Sequence, residues 1–368
     1  MAVQKRGRSW QASYRGPDKR ERTKTFARKI DAERWLDTSR ADMLRGAWVD
    51  PGAGRETVEG YAARWIEGQP WKPQTATAVR SRLAHHILPF LGSVPLANLR
   101  PSDLQAWVGG RSQVLAPRTV HLVVQTLRSI LNAAVADRVI AHSPAIGLRL
   151  PALDAGEVVP LHPEEVLRLI DAMPDQYRAA AWLAVGSGLR QGELFGLTVD
   201  RVDFLRRSLR VDRQLVTTPG ETPTWATTKN AQSNRTVPLA DSTLSALSAH
   251  LAAYPATSGG LILTTPDGLP ISRNHAGHVW RHAMAKAELR AGERSGWHDL
   301  RHFYASVLIR GGISVKEVSA RLGHKNATTT LRTYTHLWPN DDERTRQAIE
   351  DAFAGHPADI PRTSSVSQ

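Results

Sequence analysis

A chain of 368 residues is longer than one ordinary domain of about 100–200 residues, so the sequence predicts two or three domains. Its composition, 41% apolar and 23% charged with no cysteine, is globular and excludes disulfides, thiolate zinc sites and a cysteine nucleophile. The chain has no run of 18 apolar residues for a membrane span and no apolar leader after its basic N-terminus, so we expect a cytoplasmic protein without a membrane partner.

The net charge of +13 is unevenly distributed. Residues 1–30 hold 10 Lys/Arg against 2 Asp/Glu, and residues 51–150 hold 11 against 5, whereas residues 151–368 hold 24 against 23. A basic field attracts polyanions through counterion release, so nucleic acid is the first partner to consider. The alternatives are a charge that only keeps the protein soluble and an acidic lipid surface, and against lipid no helix combines a basic face with an aromatic one.

Residues 1–50 have the pattern of a small basic unit. Apolar and polar residues alternate at 10–14, a Gly-Pro-Asp turn follows at 16–18, and a second strand-like run occupies 22–26. These features predict a β-hairpin. A helix is expected next, from about Ala32 to Leu44.

Residues 56–148 predict four helices of a small bundle. Apolar residues recur at helical spacing in four stripes, which begin at Val58, Val79, Leu104 and Val120, and prolines separate the stripes. Residues 150–156 predict a linker. We interpret the stripes as core and not as ligand sites.

From Glu157 onward, helices are expected around one β patch. Residues 208–212 and 235–238 flank a polar turn at 228–234, which predicts a hairpin or a three-stranded sheet. The tail at 356–368 is rich in Pro, Ser and Thr and predicts a flexible end. The expected fold class is therefore mainly α with small β-sheets (α+β), divided into several domains.

Metal and nucleotide motifs give no candidate site. The sequence contains no Walker-type loop and no His-Glu-x-x-His. His298 and His302, four residues apart on a predicted helix, could share a zinc ion, but no third ligand follows nearby. We therefore expect no metal and no cofactor.

Five short segments in the C-terminal half carry residues suited to phosphodiester chemistry. In chain order they contain Arg190 followed by Glu193, then Lys229, then His298 and Arg301 in His-Asp-Leu-Arg, then His324 in Leu-Gly-His, and finally Tyr334. In this order the set resembles the tyrosine recombinase (phage integrase) family, which also places its tyrosine ten residues after the Leu-Gly-His histidine. Each segment alone would be a weak signal.

The chemistry of these side chains agrees with the resemblance. Cleavage of a phosphodiester without metal needs fixed cations, and Arg190 and Arg301 donate paired hydrogen bonds while staying charged. Ser314 and Glu317 predict a capping box for a helix that Gly323 ends, so that His324 emerges at a helix terminus.

The resemblance assigns the remaining roles. It implies that Tyr334 is the nucleophile and forms an O-(3′-phospho-DNA)-tyrosine intermediate, that His298 is its base, and that Lys229 protonates the leaving 5′ oxygen. Glu193 is interpreted as the partner that orients Arg190. Tyr304, in an apolar stripe, is interpreted as core.

The resemblance extends upstream by layout and charge. It implies an arm-type DNA-binding domain at 1–50, a helical core-binding domain at 55–150, a catalytic domain at 157–355 and a flexible tail at 356–368. The implied partners are double-stranded DNA at core and arm sites, three further copies of the chain in a homotetramer, a directionality factor and a host DNA-bending protein. Integration of a phage or another mobile element is the implied task.

Two other functions remain open from the sequence. A type IB topoisomerase would share the pocket but relax supercoils without recombination. A DNA-binding regulator could keep the fold without catalysis, although intact Tyr334, Arg190 and Arg301 argue against it.

Overall fold

A computed structural model describes eight segments of the chain: residues 1–46, 48–50, 52–153, 157–217, 223–227, 233–289, 295–338 and 342–353. It separates two compact units, residues 1–155 and 156–368. The predicted tail at 356–368 lies outside the described residues. Within the described segments no helix is long and apolar enough to cross a bilayer.

The first unit begins with an antiparallel sheet of three strands, β1 (Ala2–Arg6), β2 (Ser9–Arg15) and β3 (Glu21–Phe26), in that order. Helix α1 (Lys29–Leu44) packs against β2. The predicted hairpin is confirmed as β2 and β3, but the prediction was incomplete. It missed β1 because four of the five residues of this edge strand are exposed, so apolar alternation is absent.

The rest of the first unit is helical, with α2 (Val58–Glu67), α3 (Pro73–Arg82), α4 (Leu88–Leu91), α5 (Pro101–Ser112) and α6 (Pro117–Ala136). The four predicted apolar stripes form one buried core, which confirms their interpretation. Pro101 and Pro117 open their helices at the first turn, where a missing N–H costs nothing.

Prolines were expected to separate the helices, but Pro89 does not end the helical stretch that precedes it. A π-helical turn at Leu83–Ile87 joins α3 to α4, and the N–H of Leu88 bonds to the carbonyl of Leu83. Proline lacks an N–H and its ring clashes with the carbonyl four residues earlier, here that of His85. The wider turn removes this clash and lets the helix continue to Leu91.

The second unit starts with α7 (Pro163–Ala172), α8 (Asp175–Ser187) and α9 (Gln191–Leu194). Five strands follow: β4 (Val202–Asp203), β5 (Ser208–Val211), β6 (Arg213–Val216), β7 (Thr224–Thr227) and β8 (Arg235–Pro238). Strands β4, β5 and β8 form an antiparallel three-stranded sheet in the order β4-β5-β8, which was one of the two predicted alternatives. Strands β6 and β7 form a separate two-stranded sheet.

Six helices complete the unit: α10 (Asp241–Ala253), α11 (Arg273–Lys286), α12 (His298–Arg310), α13 (Val315–Leu322), α14 (Ala327–Tyr334) and α15 (Asp342–Ala352). Helix α8 packs against both α10 and α12. A single apolar core runs from α7 to Tyr334, and it therefore fixes α12, α13 and α14 relative to one another.

Candidate active site

Three arginines converge on the C-terminal end of α13. Arg235 Nε, Arg301 Nη2 and Arg190 Nη2 donate to the carbonyls of residues 321, 322 and 323, at 2.7, 2.6 and 2.7 Å respectively. The last carbonyls of a helix lack intrahelical partners and carry partial negative charge. This end of α13 therefore gathers an arginine cluster, defined as Arg190, Arg235 and Arg301, beside His324.

Gly323 makes this convergence possible. It ends α13 in the left-handed region at φ +61°, where other residues are strained. A Cβ at this position would also lie 2.8 Å from Arg235 Nη1. The predicted helix end and its cap are confirmed, since Ser314 Oγ accepts the N–H of Glu317 at the other end of α13.

Glu193 holds two members of the arginine cluster. Its carboxylate accepts from Arg190 Nη1 at 2.9 Å and from Arg235 Nη2 at 2.8 Å, and the side chain is only 3% exposed. Burial alone would raise the pKa of Glu193, but the hydrogen bond and charge of Arg235 and the charge of Arg190 lower it. The predicted pairing of Glu193 with Arg190 is confirmed, whereas Arg235 was not singled out from the sequence.

Arg301 lies on the first turns of α12 and is 1% exposed. Its guanidinium donates to the carbonyl of Gly188, in addition to the carbonyl of residue 322. Burial, and then the charge of Arg190, lower the pKa of Arg301 to about 9, so it is still charged at neutral pH. Tyr304, on the same helix, is buried in the apolar core, which confirms its interpretation.

Tyr334 is the last residue of α14 and is 1% exposed. Its hydroxyl lies 2.8 Å from Nδ1 of His302. Burial raises the pKa of Tyr334 to about 12, although the charge of Arg301 opposes the rise. The sequence singled out His302 only as a possible zinc ligand, but its spacing of four residues from His298 already placed both rings on one helix face.

His324 follows Gly323 and contacts the fully buried Thr330, with 2.8 Å between Nδ1 and Oγ1. Burial, and then the charges of the arginine cluster, lower the pKa of His324 to about 3. The ring is therefore neutral at pH 7 and carries a single N–H. Thr330 fixes its orientation, and no sequence signal identified this contact.

Lys229 lies outside the described residues. The first described residue after it, Ser233, is buried, and its hydroxyl lies 3.5 Å from the carbonyl of Gly323. No cluster of three or more His, Asp or Glu side chains suited to a metal occurs in the described part of the chain. The rings of His298 and His302 instead meet edge-on, with centroids 4.6 Å apart.

The two histidines of α12 should destabilise the protein in acid. The pKa of His298 is lowered from 6.5 to about 4, by desolvation first and then by the charges of Arg301 and Arg190. The pKa of His302 is also lowered from 6.5 to about 4, by desolvation first and then by the charges of His298 and Arg301. Because the unfolded chain takes up these protons near pH 6.5, stability present above that pH is lost as the pH falls toward 4. We expect a loss of up to ~3 kcal/mol for the half-buried His302 and a smaller loss for His298, because its side chain is exposed and solvent screens its charge.

Urea unfolding at pH 7 and at about pH 4.5 measures this effect. The free energy of unfolding of wild type should fall more between the two pH values than that of His298→Asn. His278→Asn, which replaces an exposed histidine on α11, serves as the control and should behave as wild type. Equal pH dependence in wild type and His298→Asn would contradict the prediction.

Matches to known protein families extend over most of the chain. The model of the phage integrase family matches residues 160–341, and models of the phage integrase N-terminal domain and central domain match residues 4–45 and 58–150. The prophage phiRv2 integrase of Mycobacterium tuberculosis is 31% identical over 336 residues, which are 89% of this chain and 88% of that protein. The integrase of Mycobacterium phage L5 is 28% identical over 352 residues, covering 90% and 92%.

Solved structures share the fold. The Tn1549 transposon integrase in complex with a circular intermediate DNA has a TM-score of 0.69 at 20% identity, covering 81% of this chain and 99% of that chain. The lambda integrase dimer bound to a COC′ core site has a TM-score of 0.62 at 17% identity, covering 93% and 95%. These likenesses confirm the predicted class, a mainly helical fold of several domains with small antiparallel sheets. The chain therefore belongs to the phage integrase family and is a site-specific tyrosine recombinase.

Proposed function

We propose that this chain cuts and rejoins double-stranded DNA at a defined site through a 3′-phosphotyrosyl bond on Tyr334, and that it integrates a phage or another mobile element. One observation carries the proposal. The hydroxyl of Tyr334 lies against α12, the helix that supplies Arg301, and Arg301 shares the end of α13 with Arg190 and His324. Helix α12 thus links a phenol nucleophile to two arginines and a histidine that can meet the charge of a phosphate.

The roles of the individual side chains follow from their chemistry. Arg190 and Arg301 would bind the two non-bridging oxygens of the scissile phosphate, since guanidinium groups donate in pairs and remain charged. Neutral His324 would donate its ring N–H to one of these oxygens. The family resemblance adds His298 as a base and Lys229 as the acid that protonates the 5′ oxygen.

Strand cleavage should proceed unchanged in EDTA. The arginines supply the positive charge that a metal ion supplies in other nucleases, and the described residues contain no metal-binding cluster. The measurement is the amount of covalent protein–DNA complex on a denaturing gel, with and without the chelator. The substrate is a nicked duplex from the DNA that flanks the gene, located by footprinting. Activity that disappears in EDTA and returns with Mg²⁺ or Zn²⁺ would contradict the mechanism.

We further propose that residues 1–50 bind a second, arm-type DNA site. Paired residues on adjacent antiparallel strands share a face, so Gln4, Gln11 and Thr25 lie together on one side of the sheet. Ser13 pairs with Thr23 on that same side, and these residues are not buried. A sheet face of amide and hydroxyl groups suits hydrogen bonding to base edges in a DNA groove.

Basic side chains frame this polar face. Arg6 and Arg15, at the ends of β1 and β2, are exposed and can reach phosphates. Arg22 has a different task, because its guanidinium pairs with Asp18 and Asp50, each at 2.8 Å. The positive charge of the unit is therefore partly structural and partly available to DNA.

Deletion of residues 1–50 separates the two kinds of DNA site. The apolar cluster around Tyr14 and Trp48 is distinct from the helical core that starts at Ala53, so the remaining chain should fold. Cleavage of a core-site substrate should remain within about threefold of wild type. Recombination between full-length sites should collapse, because linked modules raise the effective concentration at the weaker site by ~10²–10⁴.

Two measurements check the arm-site proposal. Gel-shift titrations should show that arm-site binding is lost in the deleted protein and falls steeply with salt in the full chain. A plasmid assay distinguishes recombination from simple relaxation. If the deleted protein relaxes supercoils and recombines as well as the full chain, the arm-site proposal fails and a topoisomerase-like activity becomes the better description.

The assembly and its setting are also proposals. A lambda integrase has been solved as a tetramer bound to a Holliday junction, with a TM-score of 0.60 and 18% identity to this chain. We propose the same state here, a homotetramer on two DNA segments in the cytoplasm. A directionality factor and a host DNA-bending protein would assist it.

A further inference from the structure

The hydroxyl of Tyr334 has a hydrogen-bonding partner within the protein, and that partner is His302. The phenolic oxygen lies 2.8 Å from Nδ1 of the ring. Tyr334 is 1% exposed, so bulk water does not compete for this contact. His298, which the family resemblance names as the base, lies one helical turn earlier and packs its ring against His302. The histidine in contact with the reacting oxygen is therefore His302.

The protonation states allow the phenol to donate in this hydrogen bond. Burial raises the pKa of Tyr334 to about 12, so the phenol keeps its proton at neutral pH. Burial, and then His298 and Arg301, lower the pKa of His302 to about 4, so its ring is neutral. A neutral imidazole has one N–H and one lone pair. Proton acceptance at Nδ1 requires the tautomer in which the phenol donates, with the lone pair on Nδ1 and the ring proton on Nε2.

We propose that His302 is a catalytic residue that accepts the phenolic proton of Tyr334 as the tyrosine attacks the scissile phosphodiester. This inference rests on the proposed function. The bond from Tyr334 Oη to phosphorus forms, the bond from phosphorus to the 5′ oxygen breaks, and the proton moves along the existing hydrogen bond to Nδ1. The leaving oxygen takes its proton from a separate acid, the role proposed for Lys229. On rejoining, the imidazolium returns the proton as the 5′ hydroxyl attacks and Tyr334 leaves.

Bound DNA should reduce the difference in proton affinity between the phenol of Tyr334 and the imidazole of His302. Among the described residues, the titratable groups around His302 are His298 and Arg301 on its own helix and Tyr334 on α14. The charge of Arg301, and that of His298 when it is protonated, disfavour an imidazolium. A phosphate anion bound by the arginines offsets this repulsion and favours the charged ring. His302 should therefore be a weak base in the free protein and a stronger one in the DNA complex.

The first test replaces His302 by asparagine, whose amide keeps a hydrogen-bonding group near the position of Nδ1 but takes up no proton. Formation of the covalent complex on the nicked duplex should slow by ~10²-fold or more, as expected for loss of a general base. DNA binding should be unchanged. His278→Asn, the exposed histidine on α11, is the matched control and should cleave as wild type. Cleavage by His302→Asn at the wild-type rate would overturn the inference.

A second substrate distinguishes the base from the acid. Sulfur in place of the bridging 5′ oxygen leaves without protonation, so it should restore cleavage to Lys229→Ala, which lacks the proposed acid. His302→Asn should remain slow on the same substrate, because its defect concerns the attacking phenol. Recovery of His302→Asn on the sulfur substrate would assign His302 to the leaving group and overturn the inference.

Two further measurements exclude a merely structural role. Difluorotyrosine at position 334 lowers the pKa of the phenol and should accelerate His302→Asn more than wild type, whereas equal effects would contradict proton acceptance. If the variant fails to fold, NMR of wild-type protein labelled with ¹⁵N-histidine still gives the tautomer of His302. An Nε2–H ring is expected, and an Nδ1–H ring would overturn the inference.

The inference and the proposed function fail separately. A wild-type protein that forms no covalent DNA complex would contradict the proposed function. A normal wild-type complex together with an unimpaired His302→Asn would contradict only the assignment of His302.

Discussion

Tyr334→Phe should abolish the covalent protein–DNA complex while leaving DNA binding intact. The substitution removes only the attacking oxygen and keeps the ring that packs at the end of α14. We expect a loss of cleavage of more than about a thousandfold, because a missing nucleophile cannot be replaced by a neighbouring group. The measurement is the covalent band formed on a nicked duplex, quantified on a denaturing gel beside a gel-shift titration.

Tyr304→Phe is the matched control. Tyr304 is a second buried tyrosine, on α12, and Tyr304→Phe also removes one hydroxyl but leaves Tyr334 in place. It should form the covalent complex as wild type does. Tyr334→Phe should also lose about 1 kcal/mol of stability, since His302 Nδ1 loses its donor. A covalent band that persists in Tyr334→Phe and disappears in Tyr304→Phe would move the nucleophile to residue 304.

Local patterns predicted much of this fold. The apolar stripes of residues 56–148 form a core because a period of 3.6 residues directly reports a buried helix face. The Ser314 side-chain cap of α13 and the left-handed Gly323 were also predictable, since caps depend on residues only a few positions apart. The order of the short segments in the C-terminal half identified the family, and matches along the chain confirm it.

The contacts that build the site could not be predicted in the same way. Arg235 meets Glu193 across 42 positions of sequence, and Arg190 meets the carbonyl of Gly323 across 133. Such pairs depend on how α9, β8 and α13 pack, and no local period encodes that. The role of His302 was missed for the same reason, because its contact with Tyr334 joins two helices 32 residues apart.

The buried carboxylate of Glu193 should be essential for the stability of the second unit. Glu193→Gln leaves Arg190 and Arg235 without their anion, and breaking a buried ion pair on one side costs about 3–5 kcal/mol. Cleavage should fall as well, because Arg190 would no longer be held beside the site. Chemical denaturation and the covalent-complex assay measure the two effects.

A second glutamate separates the ion pairs from the backbone contact. Glu165 occupies the equivalent position at the start of α7, where it accepts the backbone N–H of His162 at 2.7 Å, just as Glu193 accepts that of Arg190 at 2.9 Å. Glu165 is only half-buried, and its cited contact is with a backbone N–H, so Glu165→Gln should lose no more than about 1 kcal/mol and should cleave normally. If both substitutions cost the same, the stabilisation by Glu193 comes from capping α9 and not from the arginines. A large loss confined to Glu193→Gln would instead locate it in the buried carboxylate that orders the arginine cluster.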